Sequence, residues 1–363
     1  MFDGSPRILI VRLSAIGDVV RTLAALDAIR SAYPEARIDW AVEQRSYDVV
    51  SGHPAIDDIH VFDRHPAEGS AVGSFLNFCR HVRDTNYDIV VDFHGIFKSG
   101  FLTRFSGAKQ RIGFSWPRSQ ECSTIFYNRR AKLPSKRLSR VEENLILCEA
   151  VSTKRGHADI EMHVPDDVQE SIDAYFAETF EGAKKVVAVH VPVDRPEKQW
   201  PLEYFAECID HLMSDGRFEV VLTYGPGQMS VIEKVLRKAR RSPHIAPATP
   251  DLKHYAWLAL RSDLYFGGDT GPMHVASAMG TPVVAIFGGT DPMKHAPHRK
   301  PYTILWGGGD VEQWTPVDLA GAEDRMRAVT AEMAYDACVN MAFRDKVRPA
   351  LRPAPDTAPE NPE

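Results

Sequence analysis

Short, nearly continuous apolar runs alternate along this chain with longer segments whose apolar positions recur every three or four residues. The first run, Arg7-Ile8-Leu9-Ile10-Val11-Arg12-Leu13, is β-branched and leucine-rich without alternation, as a strand buried on both faces requires. After the loop Ser14-Ala15-Ile16-Gly17-Asp18, the residues Val19, Leu23, Leu26, Ile29 and Tyr33 fall at helical spacing until Pro34 ends the run. The same reading predicts strands at 38–42, 59–62, 89–93 and 111–114. The pattern pauses around Val164-Pro165-Asp166-Asp167. It resumes with strands at 186–191, 218–224, 264–268, 283–287 and 302–306, and with helices starting near Leu202, Gln228, Leu252 and Thr270.

Strands alternating with helices imply parallel sheets joined by right-handed crossovers. The expected fold class is therefore α/β, with two tandem Rossmann-like, doubly wound domains at 1–166 and 167–323. A helix over 324–345 is expected to close the fold, and the Pro-, Ala- and acid-rich stretch 346–363 to be disordered. Two such domains put both sets of strand C-terminal ends on one cleft, where open α/β sheets bind ligands. The chemistry has to come from the loops at those ends.

Composition narrows the picture. With 363 residues, 44% hydrophobic and 25% charged, the chain can build two globular cores. No apolar run approaches the ~20 residues that span a bilayer, and the opening residues carry no secretion signal, so a cytoplasmic protein is expected. Cys79, Cys122, Cys148, Cys208 and Cys338 are scattered without CxxC spacing, which fits a reducing compartment. A net charge of −6 speaks against a nucleic-acid partner. Between Lys98 and Arg140, however, stand eleven Lys or Arg residues and one acid, Glu121. That stretch is either a solvated surface balanced elsewhere or a basic face for an anionic acceptor or membrane headgroups.

Three loops are candidates for chemistry. Gly267-Gly268-Asp269-Thr270-Gly271-Pro272-Met273-His274 joins a strand to a helix; its small residues let backbone N–H groups approach a phosphate at the positive helix end. The same turn also serves as a plain connection capped by Thr270 or Asp269. Lys198, in Arg195-Pro196-Glu197-Lys198-Gln199-Trp200-Pro201, is a point charge suited to a departing diphosphate, or an ordinary surface lysine. Asp18 follows the first strand, where a carboxylate either caps the helix or acts as general base on an acceptor hydroxyl. There is no DxD motif and no clustered ligand set, so no metal and no other cofactor is expected.

Five ordered segments resemble one known family: ILIVRLSAIGDVVRTLAALDAIRSAYPEARIDWAVE, DFHGIFKSG, RIGF, EKQWP and DTGPMHVASAMGTPVVAIFGGTDP. The chain is similar to the ADP-heptose:lipopolysaccharide heptosyltransferases over nearly its whole length to about Met341. That resemblance implies a GT-B fold and a metal-independent, inverting transfer from ADP-heptose to the Kdo/heptose inner core. It places the acceptor in the first domain and the donor in the second. It makes Asp18 the catalytic base, and Lys198, Asp269, Thr270, Gly271 and His274 donor contacts, with Gln228 offered for a missing acid in residues 224–229. Lys98, Arg111 and His94 fall on the acceptor side, His94 standing where the family commonly has glutamine. Val191-Pro192-Val193 replaces small hydroxyl residues often found before the lysine loop. An anionic glycolipid acceptor implies peripheral association with the cytoplasmic face of the inner membrane. The alternatives are a sugar-nucleotide epimerase of the same fold and a non-catalytic nucleotide-sugar binding protein. A NAD-dependent oxidoreductase is disfavoured, because no GxGxxG follows the first strand.

Overall fold

A computed structural model describes residues 5–64, 70–151, 160–180 and 182–344, so the expected tail at 346–363 lies outside the described residues. The first sheet contains β1 (Arg7–Val11), β2 (Arg37–Glu43), β3 (Asp58–Phe62), β4 (Ile89–Asp92), β5 (Gln110–Phe114) and β6 (Arg129–Ala131). All its ladders are parallel, in the order β3-β2-β1-β4-β5-β6. The second contains β7 (Lys185–His190), β8 (Phe218–Thr223), β9 (His244–Ile245), β10 (Leu264–Gly268), β11 (Val283–Phe287) and β12 (Tyr302–Trp306). It is also parallel, in the order β12-β11-β10-β7-β8-β9, the same winding as the first. Each sheet thus reverses its winding once, between β1 and β4 and between β7 and β10. Ligands of open α/β sheets bind at such reversals.

The apolar runs form the central strands because helices cover both faces; β8, β10 and β11 are buried along their full length. The single helix expected from Asp324 is instead two, Leu319–Ala328 and Ala331–Ala342. The break follows from Thr330, whose hydroxyl accepts the Met333 N–H and caps a new helix. Both helices pack on the second sheet, where Met326, Ala334, Cys338 and Met341 share a core with Trp200 and Phe266. Trp200 is completely buried and donates its indole N–H to the Val329 carbonyl at 2.9 Å.

The two halves meet through a continuous apolar cluster that links Ile8, Val19, Leu23 and Ile29 to Tyr265, Met273, Val275 and Ala276. The helix Ile16–Ala32 lies against the helix Gly271–Ala278. A Cβ on Gly17 would sit 2.4 Å from His274 Cδ2, and one on Gly271 would sit 3.0 Å from Ile16 Cγ2. Glycine at these two positions lets two helix N-termini converge at the junction of the sheets. Lys253 adds a polar tie across the same boundary, donating to the carbonyls of Ser51 and His163 at 2.7 and 2.5 Å.

Candidate active site

At the first reversal, β1 runs into Arg12 and the helix that begins at Ile16. Asp18 lies in the first turn of that helix, whose cap residue Ala15 offers no side-chain acceptor. Its carboxylate is gripped by Arg12 on one oxygen and by Arg21 Nη2 at 2.5 Å on the other. Arg12 is fixed in turn by donating to the Phe93 carbonyl at 2.8 Å. Burial works against ionisation of Asp18, but the two guanidinium groups outweigh it and hold the carboxyl well below the usual range. The Asp18 side chain keeps 29% of its surface exposed, against 6% for each arginine, so it is the member of the trio that faces the gap. Burial, followed by Arg12, pushes the neighbouring His94 down to about 2; the ring is neutral, and its Nδ1 is buried without a hydrogen-bond partner.

Further cations gather beside this trio. Glu143, 1% exposed, accepts from Arg118 at 2.7 Å and Arg140 at 2.6 Å, and Lys294 approaches it at 3.7 Å from the second half of the chain. His295, adjoining Lys294, accepts from Arg21 through Nδ1 at 3.2 Å and is kept neutral by burial, its pKa lowered to about 3. In this set five cations surround two carboxylates, Asp18 and Glu143. A surplus of positive charge in a partly dehydrated space favours an anionic guest.

At the second reversal, the loop after β7 carries Lys198 and the loop after β10 carries Asp269 and Thr270. Lys198 donates to Asp269 Oδ2 at 2.7 Å and to the Asp269 carbonyl at 3.0 Å. Thr290 donates to the same carboxylate oxygen at 2.8 Å, and His274 Nε2 lies 3.6 Å from the other. Burial opposes the charge on Asp269, yet His274 and Lys198 keep its carboxyl well below the usual range. Thr270 occupies the cap position of the helix Gly271–Ala278 without using its side chain as a cap, which leaves first-turn N–H groups for a ligand. Lys198, with 19% of its side chain exposed, adds a positive charge held beside this turn by Asp269.

Residues 75–314 match glycosyltransferase family 9 (heptosyltransferase). The chain belongs to that family. This family 9 glycosyltransferase is 25% identical over 303 residues to the lipopolysaccharide core heptosyltransferase OpsX of Haemophilus influenzae, covering 82% of this chain and 84% of that one. Its fold is that of the family 9 glycosyl transferase from Veillonella parvula, with TM-score 0.79 and 19% identity over 93% of this chain and 97% of that one. The E. coli heptosyltransferase WaaC, solved with ADP-2-deoxy-2-fluoro heptose, matches with TM-score 0.69 and 21% identity over 91% and 98% of the two chains. Both structures carry the GT-B architecture expected from the sequence.

Within the transferase, Asp18, His94, Lys198, Asp269, Thr270, Gly271 and His274 all lie at the facing strand ends or at the helix starts beside them. The Asp269 carboxylate accepts from Lys198 and Thr290 and sets the lysine's position. His274 is 5% exposed and packs against Gly17. Gln228 spends its amide oxygen on the Gly225 N–H at 2.8 Å, holding its own turn. Lys98 donates to Glu43 at 2.5 Å and lies 5.0 Å from the centre of the Phe62 ring, at the ends of β2 and β3. Arg111 does not join the group. It is the second residue of β5, at the opposite end of the strand, and its guanidinium holds the Phe126 and Ala108 carbonyls at 3.1 and 2.9 Å. The sequence reading missed Arg12, Arg21, Arg118, Arg140, Glu143, Lys294 and Thr290. Arg12 and Arg21 carried a signal, since each interrupts an otherwise buried apolar pattern. Among the described residues no group of three or more His, Cys, Asp and Glu is arranged to hold a metal ion.

Proposed function

We propose that this transferase moves heptose from ADP-heptose to the Kdo/heptose inner core of lipopolysaccharide by a single inverting displacement. The reading rests on one observation: two winding reversals face each other, one offering Lys198 and a free helix N-terminus, the other Asp18 within a cationic cluster. The donor diphosphate sits against Lys198 and the N–H groups near Gly271, which take up the charge that grows as ADP leaves. That pairing of a lysine with a helix N-terminus stands in for a divalent ion. The acceptor's carboxylate or phosphate groups sit among Arg12, Arg118, Arg140 and Lys294. Asp18 takes the proton of the attacking hydroxyl. Since two arginines weaken it as a base, transfer comes late, when bonding to the anomeric carbon has made the hydroxyl proton acidic. Closure of the two halves over the substrates expels water that would hydrolyse the donor.

Two relatives support this choice of substrates: OpsX by its description as a lipopolysaccharide core heptosyltransferase, and WaaC by its bound heptose nucleotide. A glycolipid acceptor makes the chain a peripheral protein of the cytoplasmic leaflet. No helix among the described residues is long and apolar enough to cross a membrane. The test is incubation with ADP-heptose and a deacylated Kdo-containing acceptor. The reading expects one heptose added per ADP released, inversion at the anomeric carbon, and no loss of rate in excess chelator. Donor turnover without any acceptor would support the epimerase alternative instead.

A further inference from the structure

Beside the cluster, the loops after β4 and β5 carry an apolar tip that the transfer chemistry does not use. Trp116 is 80% exposed, Ile125 68% and Phe97 50%. Hydrogen bonds join these loops into one unit. The Gly95 carbonyl accepts from the Gln120 N–H at 2.8 Å and from Ser123 Oγ at 3.0 Å, and the Phe97 and Phe126 rings lie 5.3 Å apart between centres. Ser115 N–H donates to the Ala131 carbonyl at 2.8 Å, which brings the next segment, with exposed Lys132, Lys136 and Arg137, alongside Trp116. Glu121, the single acid between Lys98 and Arg140, is engaged by the Phe97 N–H at 3.1 Å.

Large apolar side chains left in water beside basic ones that outnumber the one acid, Glu121, match the chemistry of an anionic bilayer surface. An indole settles at headgroup level, and lysine and arginine gain from the negative surface potential. We propose that Phe97, Trp116 and Ile125, flanked by Lys132, Lys136 and Arg137, seat the chain on an anionic phospholipid leaflet. The same loops carry His94 and Arg118, so a glycolipid embedded there presents its sugars to the cleft. This purpose rests on the acceptor proposed above, although docking itself requires no turnover.

The experiment is sedimentation of the full chain with vesicles of phosphatidylcholine alone and of phosphatidylcholine with phosphatidylglycerol. The native chain is expected to bind the anionic vesicles, to release them as salt is raised, and to ignore the neutral ones. Trp116→Ser with Ile125→Ser should lower the partition on the order of tenfold. Lys136→Glu with Arg137→Glu should erase the preference for phosphatidylglycerol. Trp116→Phe should abolish the blue shift of indole fluorescence on vesicles while leaving binding in place. Equal binding to both vesicle types, or a Trp116/Ile125 variant that sediments like the native chain, overturns the proposal. So does light scattering that shows a dimer lost on Trp116→Ser, since a second copy then covers the tip. Transfer to a deacylated acceptor, measured on the same proteins, should be unchanged; if the native chain fails there but binds vesicles, the transferase reading falls and the docking face stands.

Discussion

Replacing Lys198 with methionine removes the cation from beside Asp269 while keeping most of the side-chain volume. Asp269 then retains Thr290 at 2.8 Å and a distant His274 at 3.6 Å, with only 4% of its side chain exposed. A unit charge about 5 Å from the diphosphate, at an effective dielectric constant near 20, contributes ~3 kcal/mol. Loss of the lysine therefore costs roughly 10²-fold in ADP affinity, and the uncovered carboxylate adds a repulsion of the same order. Adding Asp269→Asn removes that repulsion, so the double variant should bind ADP roughly tenfold or more better than Lys198→Met alone. Turnover should fall further than affinity in Lys198→Met, because the leaving group's charge grows in the transition state. Titration calorimetry with ADP and initial rates on all four proteins complete the cycle. Native-like ADP binding by Lys198→Met, or a double variant weaker than both singles, would refute the placement of the diphosphate.

Two further outcomes follow from the junction and the buried histidines. Gly17→Ala drives a methyl into the His274 ring and should cost ~1–3 kcal/mol of stability; His274→Ala in the same chain should return most of it, as read by denaturant unfolding. Burial lowers the pKa of His190 to about 3, where its Nδ1 pairs with the Thr223 hydroxyl at 3.0 Å and its ring lies edge-on to Tyr255. The unfolded chain binds a proton there near pH 6.5 and the folded chain does not. The stability tied to neutral His190 is thus complete above that pH and shrinks by ~1.4 kcal/mol for each unit below it, until about pH 3. His190→Gln should accordingly flatten the fall in unfolding free energy between pH 6.5 and 5 by about one proton's worth; an unchanged slope contradicts the burial argument.

The central strands were legible because a parallel sheet covered on both faces writes itself as an unbroken apolar run, as in Ile8-Leu9-Ile10-Val11. Two of the four edge strands, one in each sheet, were not. Arg129-Arg130-Ala131 and His244-Ile245 carry charge or too few residues, which suits a sheet edge and hides it from a hydrophobic pattern. The break at Thr330 was hidden for another reason, since helical periodicity continues through it and only the capping hydroxyl betrays it. At the site, Asp18, Lys198 and the 267–274 turn were legible because strand-end loops of a doubly wound sheet must converge. The cluster around Glu143 was not. Arg140 and Glu143 are three residues apart on one helix, but Arg118 and Lys294 reach Glu143 from distant parts of the chain, and ion pairs closed across such separations leave no local spacing to read. Asp18 is held ionised by two arginines that the sequence alone did not bring together.

The most direct test of two facing reversals working as one transferase site is Asp18→Asn, which keeps the shape of the side chain and removes its basicity. Transfer of heptose to a deacylated acceptor should fall by ~10²–10⁴-fold, while calorimetric ADP affinity stays within about threefold of native, since the diphosphate is held on the other side of the gap. Near-native transfer, or a loss of ADP binding that parallels the loss of rate, would contradict the account.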